Sequence, residues 1–155
     1  MGRRADSRDV RGFYGVGIFN GKTPANLGTL WRSAHAFGAS FLFTVGRRYQ
    51  RQCSDTTKAY RHVPLYNYET LDEMYAHLPL DCQLVGVELH ETSESLHRFS
   101  HPQRCAYLLG AEDHGLSADA IRRCHRVIQL PGRYCLNVSV AGSIVLHHRF
   151  ASEAA

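Results

Sequence analysis

Lysine is nearly absent from this 155-residue chain: of its 18 basic residues only Lys22 and Lys58 are lysines, and the rest are arginines. The metal-binding signatures are also missing. The five cysteines (Cys53, Cys82, Cys105, Cys124, Cys135) are odd in number and form no C-x-x-C pair, which argues against a structural zinc site. Each is expected to be a buried, reduced thiol. Among the 10 histidines no H-x-x-x-H pair sits on an obvious helix, and the adjacent His147 and His148 point to different faces, so no metal is expected. No apolar run approaches the roughly 18 residues needed to cross a bilayer. The charged start, Met1-Gly2-Arg3-Arg4, is followed by no apolar stretch and does not read as a secretory leader. The expected location is therefore the cytoplasm.

Acidic residues are scarce in one half only. Residues 1–65 hold 11 basic and 3 acidic side chains, whereas residues 66–155 hold 7 and 11. Clustered arginine attracts phosphate and stacks on bases, which points toward nucleic acid; an ordinary solvated surface is the alternative. The hydrophobic fraction of 44% and charged fraction of 21% suit a globular protein. The length suits one domain, residues 1–155, with a basic arm at 1–12.

Apolar periodicity predicts alternating strands and helices. Strands are expected at Tyr14–Phe19, Phe41–Val45, Val63–Tyr66, Gln83–Leu89, Cys105–Leu109 and Val127–Leu130. Helices are expected from Pro24 to about Phe37, over Leu71–His77, from Ser117 as N-cap through Cys124, and from Val138 to about Phe150. In the first helix Leu27, Leu30, Trp31, Ala34 and Phe37 form an apolar face, and Gly28, Arg32 and His35 lie on the other side. Residues 46–62 and 91–102 read as polar connections. The class is α/β with a mainly parallel sheet flanked by helices. Ligands in such sheets bind beyond the carboxyl ends of the strands. The loops Gly110–Gly115 and Pro131–Asn137 lie there. Gly15-Val16-Gly17 is a weak dinucleotide signal, because it falls inside the first strand rather than after it.

Three segments carry the specific signal: Asn26-Leu27-Gly28-Thr29-Leu30-Trp31-Arg32-Ser33-Ala34-His35-Ala36-Phe37-Gly38; Leu109-Gly110-Ala111-Glu112-Asp113-His114-Gly115-Leu116-Ser117; and Ile128–Ser143, containing Leu136-Asn137-Val138-Ser139-Val140-Ala141. In order and content they resemble the three motifs of the TrmH-type (SpoU) RNA 2′-O-ribose methyltransferases of the SPOUT superfamily, over about residues 13–150. The resemblance implies a deep trefoil knot near the C-terminus. It also implies S-adenosylmethionine as cofactor, an RNA substrate (tRNA favoured over rRNA) and a homodimer with its active site near the interface. The small residues Ser139, Ala141, Gly142 and Ser143 fit either that interface or tight packing within one subunit.

By motif position, the resemblance assigns Arg32, Asn26, Glu112 and Asn137 to catalysis. It assigns Val87, Glu88, Gly110, Ile128, Leu130, Cys135 and Leu136 to the cofactor, held largely through backbone groups. Arg32 is the family's catalytic arginine. Asn26 would position Arg32 or the RNA, or act as a helix N-cap. Glu112 would orient Arg32 or a loop N–H, or form an ion pair on a turn. Asn137 would tie the loops together, or cap the last helix. Arg11, Arg47, Arg48, Arg51, Lys58 and Arg61 are the expected RNA contacts, with Tyr49 or Tyr60 able to stack on a base. Cys135 stands where the family usually has serine, a better hydrogen-bonding group than a thiol. That departure leaves one alternative function: a catalytically silent knotted protein that binds RNA or assists assembly.

Overall fold

Continuous apolar runs, rather than alternating ones, mark strands buried on both faces. The computed structural model describes residues 12–46 and 58–154. Among these, seven strands form one sheet: β1 (Phe13–Phe19), β2 (Phe41–Val45), β3 (Leu65–Tyr68), β4 (Gln83–Val87), β5 (Glu94–Ser95), β6 (Arg104–Leu109) and β7 (Arg126–Gln129). The order is β3-β2-β1-β6-β4-β7-β5, and every neighbouring pair is parallel. The helices are α1 (Pro24–Ala36), α2 (Leu71–Ala76), α3 (Ala118–Arg123) and α4 (Val138–Ala154). The expected α/β class and parallel sheet are what the chain forms.

Two cores cover the sheet's faces. Ile18, Leu30, Leu42, Val85, Tyr107, Ile128 and Leu146 pack on the side of α1 and α4. Phe43, Met74, Leu84, Leu108 and Ala120 pack on the side of α2 and α3. The adjacent pairs Leu42/Phe43, Leu84/Val85 and Tyr107/Leu108 therefore point to opposite faces. Gly15 and Gly17 are paired with Phe41 and Phe43. A Cβ on either glycine would overlap the facing ring. The G-x-G of β1 thus makes room for cross-strand aromatics.

Several boundaries move from those expected. The third strand begins at Leu65, because Pro64 has no N–H to give a ladder and instead accepts Leu42 N–H through its carbonyl at 2.9 Å. β4 ends at Val87 and β7 at Gln129. The polar connection 91–102 contains β5 and a 3-10 turn, Leu96–Arg98. Two residues are too few for an alternating pattern to show. β5 is held by Arg126, which donates to both oxygens of Glu94 (2.8 and 2.5 Å) and lies 4.3 Å over the Phe99 ring. α4 runs past Phe150 because Arg149 pairs with Glu153 one turn on, at 2.7 Å.

After β7, α4 comes back across β4 and β6 to pack on α1. Gly142 allows the approach, since a Cβ there would overlap Leu30 and Leu109. Ser33 and Ser143 hydroxyls meet at 2.7 Å across the helices. Further on, Arg149, only 3% exposed, donates to the carbonyls of Pro102 and Gln103. His148 and His101 bond ring to ring at 2.7 Å, and His101 in turn meets the Tyr107 hydroxyl at 2.5 Å. The last helix is thereby fastened to the segment leading into β6. No helix among the described residues is long and apolar enough to cross a membrane.

Candidate active site

The carboxyl ends of β1, β4, β6 and β7 gather the three motif segments at one sheet edge. α1 starts just after β1 with Pro24 in its first turn, a position that needs no N–H donor. Its N-cap, Thr23, makes no side-chain cap bond. Glu112, from the loop after β6, supplies the acceptor instead. Its Oε2 takes Lys22 N–H at 3.1 Å, and its Oε1 takes Thr23 N–H at 3.4 Å and the Asn26 amide at 2.7 Å. Burial pushes the Glu112 carboxyl up, but hydrogen bonds from its own backbone, Asn26, Lys22 and Thr23 outweigh this and lower its pKa. The carboxylate is ionised at neutral pH.

Asn26 is not the helix cap; it sits inside the first turn, 7% exposed, with its side chain turned to other motifs. Its Oδ1 accepts from Asn137 Nδ2 at 3.1 Å and from the Ser139 hydroxyl at 3.4 Å. Asn137 Oδ1 accepts the N–H groups of Ser139 (3.0 Å) and Val140 (3.4 Å) and the Ser139 hydroxyl (2.6 Å). Asn137 is therefore both the cap of α4 and a tie between loops, so its two readings hold together. A continuous chain, Glu112–Asn26–Asn137–Ser139, links all three motifs. The ion-pair alternative for this turn applies next door: Lys22 Nζ pairs with Asp113, which also lies 3.4 Å from His114 Nε2.

Two adjoining cavities, of about 210 and 270 Å³, lie beside this chain. Val87, Glu88, Cys135, Leu136 and Ala141 line both. Leu130 and Gly132 complete the first, and Gly110 and Val138 help wall the second. Glu88 fixes the shape of the second. Its Oε2 accepts Leu116 N–H at 2.7 Å and its Oε1 accepts Leu89 N–H at 3.0 Å, which fastens the end of β4 to the loop after β6. Gly110 must be glycine, because a Cβ would overlap the backbone of Gly115 and Leu116 where the loop closes on itself.

Ile128 is fully buried in the core, its carbonyl accepts Glu88 N–H at 2.9 Å, and it is not among the residues lining either cavity. Cys135, expected to be a buried thiol, is an exposed one on the cavity wall. Cys82 and Cys105 are buried as expected, and burial pushes the Cys82 thiol up to about 12. The small residues of α4 pack within the subunit, Gly142 against Leu30 and Leu109 and Ser143 against Ser33.

Arg32 is exposed on the outer side of α1, as is His35, while Leu27 and Leu30 are buried. Lys58 and Arg61 are exposed at the turn that packs on α1. Arg11, Arg47, Arg48, Arg51 and Tyr49 lie outside the described residues. The sequence reading missed Ser139 as a member of the polar chain. Its spacing from Asn137, that of a cap and its second N–H, was the available signal. Among the described residues no group of three or more His, Cys, Asp or Glu is arranged to hold a metal.

Comparison with known proteins agrees with this fold. Among solved structures, the chain resembles the SpoU methyltransferase AviRb from Streptomyces viridochromogenes in complex with the cofactor AdoMet. The TM-score is 0.81 at 24% identity, covering 98% of this chain and 63% of that one. It resembles the TrmH/SpoU tRNA modifying enzyme of A. aeolicus with TM-score 0.82 at 19% identity, covering 93% and 77%. A structure described as giving insight into 2-OH methylation of C/U34 on tRNA matches with TM-score 0.77 at 20% identity, covering 92% and 97%. The chain thus spans less than two thirds of the length of AviRb. No curated protein sequence matches significantly. The SpoU rRNA methylase profile matches residues 15–147, which include all three motifs, and the chain belongs to the SpoU rRNA methylase family.

Proposed function

We propose that this chain is an S-adenosylmethionine-dependent RNA methyltransferase acting on a ribose 2′-hydroxyl, with tRNA favoured over rRNA. The observation that carries the reading is the Glu112–Asn26–Asn137 chain beside two cavities at the carboxyl edge of the sheet. The tRNA preference is supported by the likeness to a structure concerned with 2-OH methylation of C/U34 on tRNA and to a tRNA modifying enzyme.

The lining suits the adenosyl group. The two cavities together fall within the roughly 300–1,000 Å³ of small-molecule sites. Val87, Leu130 and Leu136 offer apolar surface, and Gly110 and Cys135 offer loop backbone. Ile128 supports this wall from inside the sheet. When bound, S-adenosylmethionine supplies the methyl group as an activated sulfonium. The chain's task is to hold the hydroxyl in line and to stabilise the charge that develops as its proton leaves. Arg32 does the second, and orients the neighbouring phosphate. A guanidinium with a pKa above about 12 is a poor base, so Arg32 acts by charge while the proton passes to water. Glu112, Asn26 and Asn137 are positioning residues, fixing the start of α1 that carries Arg32 against the start of α4.

Lys58 and Arg61, with Arg11, Arg47, Arg48 and Arg51, contact RNA phosphates. The return of α4 over β4 and β6 supports the trefoil crossing implied by the family. Val140, Ile144 and Phe150, each between 41% and 47% exposed along α4, support a homodimer through that helix. Residues 1–155 act as one domain, and the site of action is the cytoplasm. Titration calorimetry with S-adenosylmethionine tests the reading. Saturable binding that weakens in Gly110→Val is expected, and absence of binding at millimolar cofactor favours the silent RNA-binding protein.

A further inference from the structure

His35 and His62 form a feature that the methyl-transfer reading does not use. Their rings stack face to face, 4.4 Å apart and 6° from parallel. Both residues are exposed. His35 lies one turn beyond Arg32 on the outer side of α1, and His62 follows Arg61 at the end of the 3-10 turn Ala59–Arg61. The pairing is held in place from below. The Trp31 indole donates to the Val63 carbonyl at 2.9 Å, and the N–H of both His62 and Val63 closes on Ala59.

The surroundings are cationic. Neither α1 nor residues 58–64 contain an aspartate or glutamate. The titratable and charged side chains on these elements are Arg32, Lys58, Tyr60 and Arg61. α4 adds His147, across the Phe37 ring, and Glu153, which is engaged by Arg149. Each imidazole covers one face of the other, and the ring edges carry nitrogen donors suited to phosphate oxygens.

We propose that the stacked His35–His62 pair is a phosphate-binding element, receiving an RNA phosphodiester beside Arg32 as the strand enters the site. The inference rests on the reading of this chain as an RNA enzyme. The stack holds His62 against His35, one turn from Arg32 on α1, so a phosphodiester there meets imidazole and guanidinium donors together.

The test is fluorescence anisotropy with a labelled RNA hairpin at fixed salt and pH, for wild type, His35→Gln and His62→Gln. S-Adenosylmethionine binding is measured in parallel by calorimetry. Both variants are expected to bind RNA about three- to tenfold more weakly, as for one lost hydrogen-bonded phosphate contact, while binding cofactor normally. Variants that bind RNA as tightly as wild type overturn the inference. Loss of cofactor binding in the wild type, with the histidine effect intact, would instead sink only the methyltransferase reading.

Discussion

Changing Asn26 to aspartate replaces one NH₂ group by oxygen and leaves the shape of the site unaltered. In the wild-type protein the Asn26 amide donates to Glu112 Oε1 at 2.7 Å, and its Oδ1 accepts from Asn137 and Ser139. The variant keeps the second set and reverses the first. Two carboxylates would then face each other at hydrogen-bonding distance, and one must hold a proton. If the shared proton is held to about pH 7, against an unfolded carboxyl pKa near 4, the shift of about three units corresponds to roughly 4 kcal/mol. The folded-state pKa is raised, so full stability is present below about pH 4 and is lost as pH rises toward the folded value. At about 2–4 °C per kcal/mol for a domain of this size, Asn26→Asp should melt roughly 10 °C below wild type at neutral pH and close to it at about pH 4. Circular dichroism melts across pH check this. A depression that does not change with pH would refute the contact between Asn26 and an ionised Glu112.

Burial, followed by the nearby His148, Arg149 and Arg126, pushes His101 down to about 4. A depressed folded pKa makes its stabilisation present above about pH 6.5 and lost as pH falls toward 4. About 2 kcal/mol should disappear after allowing for partial exposure, and most of that slope should vanish in His101→Gln by denaturant titration. Gly142→Val puts atoms into Leu30 and Leu109 and should cost about 2–3 kcal/mol in urea unfolding. Arg32→Lys keeps charge but loses the planar fork; kcat should fall at least about tenfold with cofactor affinity unchanged. Cys135→Ser should retain cofactor binding within about threefold, because the exposed side chain is a wall and not a required donor.

The sheet and the main helices were legible because their apolar runs and turn residues are local signals. Ser117 and Gly38 ended or began helices as read, with Gly38 at φ 78°. What stayed hidden depends on partners distant in sequence. Asn26 lies 86 positions from Glu112 and 111 from Asn137, so local pattern offers each only as a candidate cap or turn residue, and their wider roles came from the resemblance. Asn137 kept that local role while gaining the distant one, whereas Asn26 did not. Ile128 was ambiguous for a different reason: an apolar residue at a strand end can face a ligand or the core, and pattern alone does not separate them. The small residues of α4 had two readings as well, and Leu30, Leu109 and Ser33 account for Gly142 and Ser143 within one subunit. The His35–His62 stack and the His101–His148 bond have no local sequence signature at all.

The central claim is that the Arg32-bearing helix and the cavities at its base transfer a methyl group to an RNA ribose. Mass spectrometry of tRNA and rRNA nucleosides from cells lacking the gene, complemented with wild type or Arg32→Ala, tests it most directly. The account predicts one 2′-O-methylated nucleoside that is missing in the deletion, restored by wild type and not restored by Arg32→Ala. An unchanged set of methylated nucleosides in the deletion, or full restoration by Arg32→Ala, would contradict it.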